Sequence, residues 1–189
     1  MIEVEKKFQP TDAQLQNLIE GAEFVKEKDI VDVYYDTPTF EYFKKHIKLR
    51  LRDGEYELKI KTNPSNIFGT KNSIEITDHK EILEKLGFDS SDDLDKVVKE
   101  NLEILVDLRT HRIEYKKEVF IIDIDETDFG NKSCEIEILV EHESESAEAE
   151  KKILDFAKRF HLEITNPPTK FGEYLRLYRP EVYQELFLK

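Results

Sequence analysis

The chain predicts an α+β protein organised around an antiparallel sheet of about eight strands. Three observations carry this. Apolar side chains alternate with polar ones at a period of two through segment after segment. Several of these segments are joined by tight turns, Asp53-Gly54 and 128–131 above all. The face opposite the apolar one is almost wholly ionic, where an ordinary solvated face would carry Thr, Ser and Gln. Such a sheet either bathes its charged face in water or closes, which turns that face into a charged lumen and removes the exposed edges.

The elements follow in order. A strand at 2–8 sets Ile2, Val4 and Phe8 against Glu3, Glu5 and Lys7. Thr11 or Asp12 then caps a helix through Leu15, Leu18 and Ile19 that ends near Gly21. Strands are expected at 30–36, stopped by Thr37-Pro38, and at 46–52 and 55–61, with a short helical connection at 40–45. A polar loop with Pro64 and Gly69 spans 63–72, before a short strand at 73–77. Helices at 79–86 and 90–100 lead to a long strand at 102–116. Its apolar parity changes from Ile104, Val106 and Leu108 to Ile113 and Tyr115, which predicts a bulge near Thr110. Strands at 118–126 and 134–142 follow. The acidic segment 141–150 reads as a loop entering a helix at 146–161, and helical segments at 171–178 and 180–188 close the chain after Asn166-Pro167-Pro168.

A length of 189 residues fits a single domain spanning 1–189, with a real core. Charged residues are 38% of the chain, yet twelve Phe and eight Tyr at regular spacing separate it from disordered sequences. A net charge of -13 argues against nucleic-acid binding through a basic surface, though not against a basic pocket. The lone Cys134 excludes a disulfide framework and shares the apolar face of Ile136. No apolar run resembles a signal peptide or a membrane span. The expectation is a cytoplasmic protein in a reducing compartment, monomeric, without nucleic-acid or membrane partners.

The strand-face charges sort into an acidic set, Glu3, Glu5, Glu75, Asp123, Asp125, Glu135 and Glu137, and a basic set, Lys7, Arg50, Arg52, Lys59, Lys61, Arg112 and Lys170. Carboxylates brought close together raise one another's pKa unless a cation neutralises them. A donor set of oxygens without His or Cys suits a hard divalent cation such as Mg2+ or Mn2+. Arg and Lys suit a polyanion. Together they describe a site for a metal–polyphosphate. The five histidines show no ligand spacing, and Tyr34 and Asp36 share a face that could reach the site.

Glu3-Val4-Glu5-Lys6-Lys7 resembles the E-x-E-x-K signature of the CYTH superfamily, the triphosphate tunnel metalloenzymes. It is joined in the family's order by Tyr34-Tyr35-Asp36-Thr37-Pro38, Leu49-Arg50-Leu51-Arg52, Glu57-Leu58-Lys59, Arg112, the Asp123-x-Asp125 to Glu135-x-Glu137 block and Lys170. The segment 123–130 and the tail from Lys170 to Arg179-Pro180 are most similar to the thiamine-triphosphatase branch. The resemblance implies a closed eight-stranded antiparallel β-barrel, or tunnel, with peripheral helices. It implies Mg2+-dependent hydrolysis of a small-molecule triphosphate, either thiamine triphosphate or inorganic tripolyphosphate. Glu3, Glu5, Asp123, Glu135 and Glu137 are the implied metal ligands. Lys7, Arg50, Arg52, Lys59, Arg112 and Lys170 are the implied triphosphate-binding residues, and Glu3, Glu5, Lys7 and Glu137 carry the catalysis. Asp125, Glu75 and Lys61 stand as further lumen residues. A class IV-type adenylate cyclase and a non-catalytic polyphosphate-binding module are the alternatives. One departure stands out. The branch places a Trp, able to stack on thiamine, two positions before the first tunnel arginine. Here that position is Lys48 and the chain has no Trp.

Overall fold

The computed structural model describes residues 1–62 and 70–188. Eight antiparallel strands close into a barrel in the order β1-β5-β4-β3-β2-β6-β7-β8, with β8 paired back to β1. The strands are β1 (Ile2–Phe8), β2 (Glu23–Asp36), β3 (Ile47–Arg52), β4 (Glu55–Lys61), β5 (Thr70–Ile76), β6 (Glu103–Lys117), β7 (Phe120–Thr127) and β8 (Lys132–Val140). Seven helices lie around them: α1 (Asp12–Ile19), α2 (Glu41–Lys44), α3 (His79–Leu86), α4 (Leu94–Asn101), α5 (Ser146–Arg159), α6 (Lys170–Tyr178) and α7 (Pro180–Phe187).

Local chemistry sets most of the boundaries. Thr11 caps α1 in a reciprocal pair with Gln14, and Asp78, Asp93 and Thr169 each accept a backbone N–H at the starts of α3, α4 and α6. The α4 helix starts at Leu94 rather than 90 because Asp89 folds back onto Ser91 N and Oγ, which holds 89–92 in a turn. Asp53 and Gly54 both have positive φ (51° and 95°), as a two-residue hairpin demands.

Three apolar clusters fix the barrel in place. Outward residues of β1, β7 and β8, among them Val4, Ile122, Cys134 and Ile136, pack under Ile153 and Phe156 of α5. Leu49, Tyr56 and Leu58 pack under α3 and α4. The third cluster is different, because it fills one end of the barrel. Tyr34, Val106 and Leu108 lie on the inward face there and meet Phe171, Leu175 and Val182 of α6 and α7. Each such buried side chain contributes about 1.5–3 kcal/mol.

That plug explains a misread feature of β6. No bulge occurs at Thr110, where pairing with both β2 and β7 is unbroken. The parity change arises because Val106 and Leu108 face inward against the plug, while Tyr115 faces outward onto the α5 core. The bulge lies instead at Leu105: Tyr34 opposes Val106 and Tyr35 opposes Ile104. A second irregularity falls between Phe24 and Lys26 of β2. Two other boundaries move. The β2 strand begins at Glu23 rather than 30, its charged first half paired to residues 111–116 of β6. Residues 70–72 belong to β5, and the rest of the expected 63–72 loop lies outside the described residues.

Candidate active site

Period-two alternation around a closed ring sends one face of every strand into a common interior. That interior holds a cavity of about 520 Å3. Among the described residues ten lysines and arginines and seven carboxylates line it, and Asp32, Glu57 and Asp125 stand paired to its arginines, so a chain of charge -13 gathers an unusual share of its bases here.

All the expected triphosphate-binding residues line it. Lys59 Nζ touches three carboxylates, Glu3 at 2.6 Å, Glu5 at 3.1 Å and Glu75 at 3.2 Å. Arg50 is buried among Tyr34, Glu57, Glu75 and Asp32, yet its Nε has no hydrogen-bond partner. A buried guanidinium N–H left open in this way fits a phosphate oxygen. Arg52 forks onto Asp32 at 2.8 and 3.1 Å. Arg112 grips Asp125 with Nε and Nη2 at 2.6 and 2.7 Å, and also reaches Asp123 and Glu135. Lys7 pairs with Glu135 at 2.5 Å. Lys170, presented by the first turn of α6, reaches Thr110 and Asp125 at 3.3 Å.

The five expected metal ligands divide. Glu3, Glu5 and Glu137 each bring a carboxylate oxygen within 4.8 Å of the other two. Strand register does this, because Glu5 pairs with Glu137 across β1 and β8. Glu135 and Asp123 flank the trio and are held by Lys7 and Arg112. Asp123 Oδ1 is nevertheless buried with no hydrogen-bond partner. An orphaned carboxylate oxygen beside an all-oxygen trio fits a hard divalent cation.

The electrostatics point the same way. Burial, reinforced by the charge of Glu5, pushes the Glu3 carboxyl up to about 11. Burial and the Asp123 charge push Glu137 up to about 7. Burial raises Asp123 to about 6 against the pull of Arg112. In contrast Lys59 and Lys71 overcome burial and hold Glu5 well below the carboxylate range, and Lys7 does so for Glu135. Glu3 and Glu137 thus hold protons beside an ionised Glu5, and a divalent cation would replace them. Because Glu3 and Glu137 must both give up a proton to the ion, affinity for Mg2+ is expected to fall about tenfold per pH unit below about 11 and about a hundredfold per unit below about 7. Calorimetric titration in steps from pH 6 to pH 9 checks this, and a slope that does not steepen below about 7 would remove Glu137 from the ligand set.

Some lumen residues went unread in the sequence. Asp32, fully buried, anchors Arg52 and lies 3.6 Å from Lys170 and 3.9 Å from Arg50. It shares the face of Tyr34, and that period-two signal would have found it. Lys26, Lys28, Lys71 and Glu114 also line the cavity. The first two lie in 23–29, outside the strand expected at 30–36, and Lys71 in the part of β5 expected to be loop. Asp36 does not reach the site. Its carboxylate accepts from Thr37 N, Tyr42 N and Phe43 N and so ties down α2. Lys61 lines a neighbouring hollow rather than the main cavity. Lys48 does line the cavity. Its ammonium sits 4.6 Å from the centre of the Phe171 ring and 5.6 Å from that of Phe43, and burial together with Lys71 and Lys59 lowers it to about 7.

The CYTH domain profile matches residues 1–167. The chain belongs to the CYTH family. Among curated CYTH relatives, the thiamine-triphosphatase of Homo sapiens is 28% identical over 208 residues, covering 98% of this chain and 89% of that one. Among solved structures, the PH1819 protein of Pyrococcus horikoshii OT3 superposes with a TM-score of 0.66 at 24% identity, covering 93% of this chain and 98% of that one. A candidate adenylyl cyclase from Hippeastrum, described as having a dominant triphosphatase activity, superposes with a TM-score of 0.57 at 18% identity, covering 93% and 95%. These likenesses support the closed CYTH barrel. No helix among the described residues is long and apolar enough to cross a membrane.

Proposed function

We propose that the chain is a metal-dependent triphosphatase that hydrolyses a linear triphosphate to the diphosphate and orthophosphate. The observation that carries this is the facing of the Glu3, Glu5 and Glu137 trio by a crowd of Arg and Lys inside one closed cavity. Binding an anion alone needs no such carboxylates. The family and the human thiamine-triphosphatase relative support the reading.

Arg50, Arg52, Lys59, Arg112, Lys7 and Lys170 hold the phosphates and neutralise charge that develops on the transferred group. The ligand-free ion pairs around Arg112 and Arg50 preorganise these bases, and phosphate oxygens take over from the carboxylates. A divalent cation such as Mg2+ or Mn2+, held by Glu3, Glu5 and Glu137 with Asp123 and Glu135 beside them, supplies further neutralisation at the phosphate oxygens. Water attacks the terminal phosphorus in line, the phosphoanhydride P–O bond breaks, and the diphosphate leaves with the electron pair. A lumen glutamate that the cation leaves free would orient the attacking water and accept its proton.

Lys48 favours inorganic tripolyphosphate over thiamine triphosphate. Its ammonium covers the Phe171 face that an organic ring would use, and it repels a cationic thiazolium. The test is phosphate release from tripolyphosphate, thiamine triphosphate and ATP with Mg2+ or Mn2+. Tripolyphosphate is expected to give the highest kcat/KM, and EDTA is expected to abolish the activity. Cyclic AMP from ATP would make the chain a cyclase instead. Binding without turnover of any of the three would leave a polyphosphate-binding module.

A further inference from the structure

Beside the main cavity lies a second hollow of about 220 Å3, several times the ~30 Å3 that one water takes up in the liquid. Lys48, Lys59, Lys71 and Thr169 line both, so the two adjoin across these side chains. The hollow adds Lys61, His46 and Ser73, with Phe43 and Phe187 at its apolar side.

Its chemistry differs from that of the main cavity. There, Arg50, Lys59, Arg112 and Lys7 are each answered by carboxylates. In the hollow, four lysines and a histidine meet no Asp or Glu among the described lining residues. Lys48 and Lys61 form no ion pair with a described carboxylate, although Lys71 reaches Glu5 at 3.4 Å. Ser73 Oγ is buried there without a hydrogen-bond partner. Lys59 and Lys71 are answered by carboxylates of the main cavity, which leaves Lys48, Lys61 and the open Ser73 hydroxyl to call for an anion. An aromatic occupant fits less well, because Lys48 already covers the faces of Phe171 and Phe43.

We propose that this hollow is an anion subsite that continues the triphosphate cavity and takes the additional phosphate of a linear inorganic polyphosphate longer than three units. The inference rests on the triphosphatase reading of the main cavity. It makes the protein a reader of chain length, with the fourth phosphate held by Lys61, Lys48 and Ser73.

The experiment compares inorganic tripolyphosphate with linear inorganic tetraphosphate on the full chain. Binding is measured by calorimetry in EDTA and turnover with Mg2+. Wild type is expected to bind tetraphosphate about tenfold more tightly, the equivalent of one added charge-assisted contact. The double variant Lys61→Met/His46→Gln alters two exposed side chains that line only the hollow. It should lose that preference while tripolyphosphate binding and hydrolysis stay within about twofold. Lys45→Met, an exposed lysine outside both cavities, should leave both ligands unaffected. Equal binding of the two ligands by wild type overturns the subsite alone. So does a preference that survives the double variant, or one that Lys45→Met removes equally well. Failure of both ligands to bind overturns the triphosphatase reading and the subsite with it.

Discussion

Replacing Arg50 with lysine is expected to lower kcat/KM for tripolyphosphate by about 10²–10³-fold, about 2.7–4 kcal/mol of transition-state stabilisation. The lysine keeps the positive charge and loses the fork. Arg50 already uses its Nη atoms on Tyr34, Glu57 and Glu75, and only its Nε is open. A single ammonium cannot serve those partners and a phosphate oxygen together. Alanine would be the worse test. It would leave Glu57 without its ion-pair partner and thin the charge around Asp32 and Glu75, so that a loss of fold would be confounded with a loss of phosphate binding. The lysine variant should therefore melt within a few degrees of wild type while its turnover falls. Activity within about threefold of wild type would remove Arg50 from the phosphate-binding set.

Much of this arrangement is legible in the sequence because a strand's period of two is rigid. Glu3 and Glu5 share a face with Lys7, and Ile2 and Val4 share the other, which is enough to assign the lumen face; the register that sets Glu5 opposite Glu137 comes from the structure. The same rule placed Arg50, Arg52, Lys59, Arg112 and Asp123 in the lumen. It failed where apolar character stops marking the outside. Val106 and Leu108 point inward because α6 and α7 fill that end of the barrel, and a change of packing partner then looks like a change of register. It failed also where charge is spread over both faces. Residues 23–29 of β2 carry too little apolar signal to be read as a strand, so Lys26 and Lys28 were missed. Asp36 shows the reverse error. It has the right parity for the lumen, but three backbone N–H groups at α2 claim its carboxylate. Parity assigns a face, and only the tertiary structure says what that face meets.

The trio of acids sets up the second large effect, a substitution that strengthens the metal-free protein while disabling it. In the folded, metal-free state the Glu3 carboxyl is pushed up to about 11 from 4.5, first by burial and then by Glu5. The folded protein therefore holds a proton that the unfolded chain has already lost at neutral pH. The sign follows from linkage. Glu3's contribution to stability is full below about 4.5 and declines as pH rises toward the folded value. Glutamine has the shape of the protonated acid and keeps its donor, without any tendency to ionise. In EDTA at pH 8, Glu3→Gln should raise the melting temperature by about 2–8 °C, which corresponds to about 1–2 kcal/mol for a chain of this size. Its melting temperature should also fall less steeply than that of wild type between pH 6 and 9. With saturating Mg2+ the order should reverse. At a hundredfold excess over Kd, wild type gains about 2.7 kcal/mol from the bound ion, and the variant, with one of its three clustered carboxylates gone, gains far less. Turnover of tripolyphosphate by the variant should fall by about 10²-fold or more. Melting curves of both proteins, with and without Mg2+, decide the matter. If the variant is less stable than wild type in EDTA, Glu3 is a structural ion-pair partner of Lys59 and not a protonated acid awaiting a metal. If Mg2+ stabilises the two equally, the cation does not bind at the trio. The predicted crossing of the curves follows only if the first charged residue of β1 is kept at a cost to the empty fold for the sake of what the lumen binds.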